Sequence, residues 1–239
     1  AQEGARVVGL DHDEKSCELG LIRSRMEGTL VDFLVSDGTM TPFPDSSFDI
    51  IICNDVFEHV LHKKKLAHEI HRLLKADGVA FIRTPNKLSP WNILRDDHTG
   101  LPFITLLPRN IQNLFIKVMG LTKKDLPYTL KPPTYASLMK ISTSENLELN
   151  DQMMLDEIRD AMYLSHTDVL LASRSNLYPQ LTSALLRIVR WSHDICKLIG
   201  LSHLWWLMIK MISPTLTFTA RKAVSMDRSQ EGLIEVSSG

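Results

Sequence analysis

Cysteine is scarce in this sequence: Cys17, Cys53 and Cys196 stand far apart and form no CxxC pair. That argues against a disulfide framework and a structural zinc site, and it suits a reducing cytoplasm. Net charge is almost absent as well. The 27 basic and 28 acidic residues leave −1, so no bulk attraction draws the chain toward nucleic acid. Aromatic residues make up only 7%. No charged-then-apolar leader opens the chain. It begins at Ala1 rather than methionine and runs almost at once into Val7-Val8-Gly9-Leu10, which reads as processing or truncation. Several catalytic signatures are missing too. The histidines at 62, 68 and 71 lack the HExxH arrangement of a zinc site, and no nucleophile elbow occurs.

What remains is a regular alternation of strands and helices. Arg6 to Leu10 is a short apolar run ending in Asp11, and it reads as a buried strand. Asp13 and Glu14 suit the N-terminus of a helix reaching about Arg25, because carboxylates are favoured at the positive end of the helix dipole. Val31 to Ser36 is a second strand, closed by Asp37-Gly38. Phe48 to Cys53 is a third, apolar on both faces, as a parallel strand covered by helices would be. A helix from about His62 to Lys75 stops at Ala76-Asp77-Gly78, and Val79 to Arg83 is a fourth strand before Thr84-Pro85-Asn86. This spacing predicts an α/β fold with a doubly wound, mostly parallel sheet. Further on, helices are expected at 109–119, at 135–141 and over most of 151–212. Asn146 to Leu149 and Leu216 to Arg221 read as the later strands, followed by a polar tail from 225.

In an open parallel sheet, ligands bind beyond the carboxyl ends of the strands. The polar residues there are Asp11, Asp37, Asn54 with Asp55, and Thr84-Pro85-Asn86. A carboxylate after one strand can accept from a ribose diol, and one after the next can accept from an adenine amine. Each has an ordinary alternative, since Asp after a strand also caps helices and forms turns.

Four stretches carry a family likeness. VVGLDHDE resembles the second strand of class I S-adenosylmethionine-dependent methyltransferases of the type 11 group, with its ribose-binding acid. SDGTMTPFPDSSFDIIICNDVFEHV resembles their adenine-contacting acid, proline-phenylalanine-proline loop and central strand. HEIHRLLKADGVAFIRTPN resembles the helix and strand that follow, and ISPTLTFTARK the closing strand. The match is specific over residues 6–86 and weaker beyond. It implies a Rossmann-like core over 1–150, a helical cap or insertion over 151–212, a closing strand over 213–224 and a tail over 225–239.

It also implies S-adenosyl-L-methionine as co-substrate and a small-molecule methyl acceptor. Asp11 would hold the ribose hydroxyls and Asp37 the adenine amine, with Gly38 and Thr39 beside the ring. Asn54 would lie beneath the methionyl part. His59 would sit near the methyl-transfer centre, with a helix-capping role as its alternative. The family's first strand and its GxGxG-like loop have no counterpart here. In that fold the strand lies between those ending at Asp11 and Asn54, so its loss predicts a gap or a forced pairing of the two neighbours.

Acceptor recognition falls to the variable segments: Trp91, Phe103, Tyr135 and the loop DDHTGLPFITLLP, whose His98 is a second candidate base. The region 177–212 mixes aromatic, aliphatic and basic residues, with charges too frequent for a membrane-spanning helix. It fits a helical cap, a surface lying on a membrane, or a homodimer interface burying Trp205 and Trp206. Two functions compete with methyl transfer. A nicotinamide-dependent oxidoreductase shares the sheet architecture but lacks its GxGxxG. A non-catalytic scaffold is favoured by the missing cofactor loop.

Overall fold

The computed structural model describes residues 4–94, 101, 103–118, 131–163, 179–213 and 215–223. The order is β1 (Val7–Asp11), α1 (Glu14–Met26), β2 (Val31–Val35), β3 (Phe48–Asn54), α2 (Lys63–Leu73), β4 (Leu74–Pro85) and α3 (Pro90–Leu94). A 3-10 turn (Ile104–Leu106) precedes α4 (Arg109–Val118), α5 (Tyr135–Ser144), β5 (Leu147–Asn150) and α6 (Gln152–Tyr163). Then come α7 (Pro179–Leu198), α8 (Ser202–Ile212) and β6 (Thr215–Lys222). The polar tail from Ser225 and the loop residue His98 lie outside the described residues.

The strands form two sheets. β1 pairs in parallel with β2, and β3, β4, β6 and β5 form the second sheet in that order. β3 and β4 are parallel, whereas β6 runs against both β4 and β5. The α/β class expected from the alternation therefore holds, with the strands divided at the place where the gap was expected. Among the described residues β1 and β3 each pair on one side only.

The core lies on one face of the larger sheet. Alternate residues of β4 (Ala80, Ile82) and β6 (Leu216, Phe218, Ala220) meet Leu66 and Ile70 of α2 and Leu138 of α5, all buried. The opposite face is covered over β6, where Thr217 donates to Glu157 of α6 at 3.1 Å. Over β3 it is open. Ile50 is 60% and Ile52 75% exposed, which corrects the expectation of a strand covered on both faces. The pattern was right for a buried strand, but among the described residues no strand or helix lies against that side.

A second correction concerns Ala76-Asp77-Gly78. These residues do not form a turn between helix and strand; β4 runs through them from Leu74. The register shifts between Phe48 and Ile50 where they pair. A Cβ at Gly78 would stand 3.1 Å from the carbonyl oxygens of Phe48 and Asp49, so any side chain here would have to push the strands apart by a few tenths of an ångström.

The smaller unit has its own tight packing. Asp13 caps α1 by accepting from the Ser16 amide at 3.0 Å. The Phe33 ring wedges between Gly9 of β1 and Gly20 of α1, and a Cβ on Gly9 would come within 2.6 Å of it. Gly20→Ala is therefore expected to destabilise the protein. Alanine gains about 1 kcal/mol of helix propensity, but overpacking against the ring costs about 1–3 kcal/mol. Urea unfolding of Gly20→Ala with and without Phe33→Leu checks the sign. If the alanine variant is the more stable one, the ring is not the constraint.

Candidate active site

The carboxyl ends of β1 and β2 lie side by side, since Asp11 registers with Val35 and its carbonyl accepts from the Ser36 amide at 2.9 Å. Asp11 is half-exposed. Its Oδ1 accepts from the Asp13 amide at 2.9 Å and meets His12 Nδ1 at 3.2 Å. Oδ2 has no protein partner among the described residues. Asp37 follows β2 and accepts from the Thr39 amide at 2.8 Å. That bond, with a further one from the Thr39 side chain, holds its carboxyl below the usual range. Both residues thus fulfil the turn-forming alternative while staying accessible. A Cβ built at Gly38 would lie 3.8 Å from methyl carbons of both Leu10 and Leu66, so the glycine sits beside apolar walls.

The loop after Gly38 is clamped onto α2. The buried Glu69 accepts from the amide and hydroxyl of Thr41 at 2.8 and 2.7 Å. Arg72 grips Glu69 at 2.9 and 2.7 Å and reaches on to the Phe43 carbonyl and Asp45, each at 2.7 Å. The rigid Pro42–Asp45 loop owes its place to this pair as much as to its prolines.

The ends of β3 and β4 form a second polar cluster. Asn54 ends β3 and is exposed, and Asp55 turns away with φ 54 while its amide donates to the Arg83 carbonyl at 2.9 Å. Glu58 is fully buried. One of its oxygens accepts from Thr84 at 2.9 Å. The other has no hydrogen-bond partner among the described residues and stands 3.8 Å from Nε2 of His59. His59 itself lies in a turn, its amide donating to the Val56 carbonyl, and its side chain is half-exposed. Lys63 is half-buried nearby, and desolvation, with Lys131 acting in the same sense, lowers its ammonium pKa to about 8. Burial, with Glu58 and Asp55 close by, pushes the Cys53 thiol up to about 12, so it is no thiolate nucleophile.

The other candidates fare differently. The Trp91 side chain, like His98, is outside the described residues. Phe103 is exposed. Tyr135 packs on Phe218 and donates to Asp151 at 2.7 Å; burial, with that bond, drives its phenol pKa up. Asn86 proves to be a structural clasp: fully buried, it donates to the carbonyls of Met211 and Ser213 at 3.0 and 2.9 Å. Sequence reasoning passed over Glu58, though an acid among Val56, Phe57 and Val60 was a signal that it had to be paired. Trp205 is buried inside the α7–α8 hairpin, its indole donating to Ser192 at 2.9 Å, so it is not available to a dimer interface. Among the described residues no group of three His, Cys, Asp or Glu is placed to hold a metal ion, and no helix is long and apolar enough to cross a membrane.

Comparison with known proteins follows the same residues. The family described as "Methyltransferase domain" matches residues 1–82. A probable S-adenosylmethionine-dependent methyltransferase from Mycolicibacterium smegmatis is 32% identical over 89 residues, covering 37% of this chain and 33% of that protein. The ubiquinone biosynthesis O-methyltransferase of Pseudomonas aeruginosa is 30% identical over 88 residues, covering 36% and 38%. The chain thus spans little more than a third of these relatives. Among solved structures, PKMT2 from Rickettsia typhi in complex with AdoHcy is similar at a TM-score of 0.50 and 15% identity, covering 91% of this chain and 44% of that one. That likeness extends the fold beyond the matched 82 residues.

Proposed function

We propose that the protein, whose residues 1–82 match a methyltransferase domain family, binds S-adenosyl-L-methionine and transfers its methyl group to a small, hydrophobic acceptor. The observation that carries this reading is the pair of accessible carboxylates, Asp11 and Asp37, at the same end of two adjacent parallel strands. Asp11 would receive the ribose hydroxyls, for which its Oδ2 is available, and Asp37 the adenine amine. Gly38 and Thr39 flank the ring, with Leu10 and Leu66 as apolar walls. The relatives named for ubiquinone biosynthesis support an acceptor of hydrophobic character.

These residues fit the nucleoside half of the co-substrate; the methionyl half has only Asn54. When bound, the sulfonium supplies an electrophilic methyl group. The protein's part is then to align the acceptor and, where it carries a proton, to remove it. His59 is the base we assign, with the Glu58 side chain behind it at 3.8 Å. His98 is the second candidate.

The open edges of β1 and β3 favour one competing reading, a scaffold that binds no co-substrate. Calorimetry with S-adenosylhomocysteine separates the two. The assay compares residues 1–239 with the same residues fused behind a strand, glycine loop and helix grafted from a matched relative. We expect binding by the fusion, and about 100-fold weaker binding when it carries Asp11→Ala, since two charge-assisted hydrogen bonds are lost. Binding by neither protein would leave the scaffold standing. Binding unaffected by Asp11→Ala would remove the carboxylate from the site.

A further inference from the structure

We propose that the outer face of the α7–α8 hairpin docks on an anionic lipid surface, independently of the transfer reaction. The hairpin is made by a sharp turn. Gly200 takes φ 76, and the Leu201 amide closes back on the Cys196 carbonyl at 2.7 Å. The inner faces then meet: Val189 and Cys196 of α7 pack with Trp205, Trp206 and Ile209 of α8. The Trp205 indole stacks edge-on against His193 at 4.6 Å. With those residues turned inward, several apolar residues of both helices are left outside.

They fall into stripes. Ile188, Trp191, Ile195 and Leu198 recur at helical spacing on α7, with Trp191 67% and Leu198 87% exposed. On α8, Leu204 and Met208 are exposed in the same manner. Immediately beside the α7 stripe runs a polar one, Arg187, Arg190, Asp194 and Lys197, at the same spacing and also exposed. Over residues 179–212 the basic residues are Arg187, Arg190, Lys197 and Lys210, the last turned away to Asp151 at 2.8 Å, and the only acid is Asp194, so the outer face carries three cations against one acid. Yet the whole chain carries −1. Positive charge is thus concentrated where exposed apolar surface is concentrated.

This combination selects the occupant. An apolar stripe bordered by cations, with a tryptophan in it, is the arrangement of a helix lying in a membrane interface. Neither helix is long and apolar enough to cross, so the hairpin would lie in the plane. A second copy of the chain would bring a like-charged border with it, whereas anionic headgroups complement that border.

The test is flotation with vesicles of equal parts phosphatidylcholine and phosphatidylglycerol, against vesicles of phosphatidylcholine alone. The unmodified chain is expected to float only with the anionic vesicles, and less as salt rises. Arg190→Gln with Lys197→Gln should lower the partition coefficient about thirty-fold, at about five-fold per cation. Trp191→Ser with Leu198→Ser should abolish binding. These are surface changes, and an unchanged urea midpoint shows that each variant is folded. Failure of the unmodified chain to float overturns the proposal, as does equal flotation of both double variants. A dimer in sedimentation that Trp191→Ser with Leu198→Ser dissociates, without flotation of the unmodified chain, assigns the face to a second copy.

Discussion

Arg72→Ala is expected to lower the unfolding free energy by about 3–5 kcal/mol, the cost of leaving a buried charge uncompensated. Glu69 is almost fully buried, and its carboxyl, held first by Arg72 and then by Thr41, titrates at about 2. Removing the guanidinium strands that carboxylate and frees the Phe43 carbonyl and Asp45 together. Because the folded-state pKa lies below the unfolded value of 4.5, the pair's contribution is fully present above that value. It is lost as pH falls from there toward 2. Urea unfolding at neutral pH and near pH 3 should therefore show the unmodified chain converging on the variant in acid. Glu69→Leu with Arg72→Met should be less damaging than Arg72→Ala alone, since neither partner is then left charged. An Arg72→Ala variant with an unchanged urea midpoint would show that solvent, not the ion pair, stabilises Glu69.

Asn86 should be nearly as unforgiving. It is fully buried, with its amide nitrogen on two carbonyls and its Oδ1 accepting from Leu88 at 3.1 Å. Asn86→Ala leaves three backbone groups without their partner and should cost about 3–4 kcal/mol, at roughly 1 kcal/mol or more for each. Asn86→Asp is the sharper test because it keeps the shape. A carboxylate oxygen would then face the Met211 and Ser213 carbonyls, so at neutral pH the variant should be less stable than Asn86→Ala. The aspartate introduced would have its pKa raised by the fold, so the penalty is full above that raised value. It should fade as pH falls from that raised value to the ordinary carboxylate range, because the protonated acid can donate once. Equal stability of Asn86→Asp and the unmodified chain at neutral pH would rule out the donor role.

These two residues also show which parts of the molecule the sequence could convey. Strands β1 to β4 and the helices between them follow from short apolar runs and from stops such as Asp37-Gly38, signals confined to a few neighbouring residues. The positions of Asp11 and Asp37 were legible for the same reason, because the first ends β1 and the second follows β2 by two residues. Asn86 was not. It looked like one more polar residue at a strand end, and only the partners at 211 and 213 reveal a clasp. For Glu58 the apolar neighbours signalled a need for pairing, but not the partner, since Thr84 lies on β4, 26 residues away. The exposure of Ile50 and Ile52 was equally out of reach, since an apolar run records what a strand is suited to and not what covers it. The start of β4 was misplaced because Gly78 served a close strand approach where a turn was expected.

The position of β6 has a consequence for the order in which the chain takes shape during synthesis. β6 lies between β4 and β5, yet it leaves the ribosome after both, following α6, α7 and α8. Until residues 215–222 emerge, β4 and β5 each present a bare edge, and Leu216, Phe218 and Ala220 are missing from the core they complete. The larger sheet therefore closes last, through contacts distant in sequence, which makes closure slow and exposes a nascent chain to edge-to-edge association. A nascent chain stopped before Thr215 should bind a chaperone that the finished chain releases.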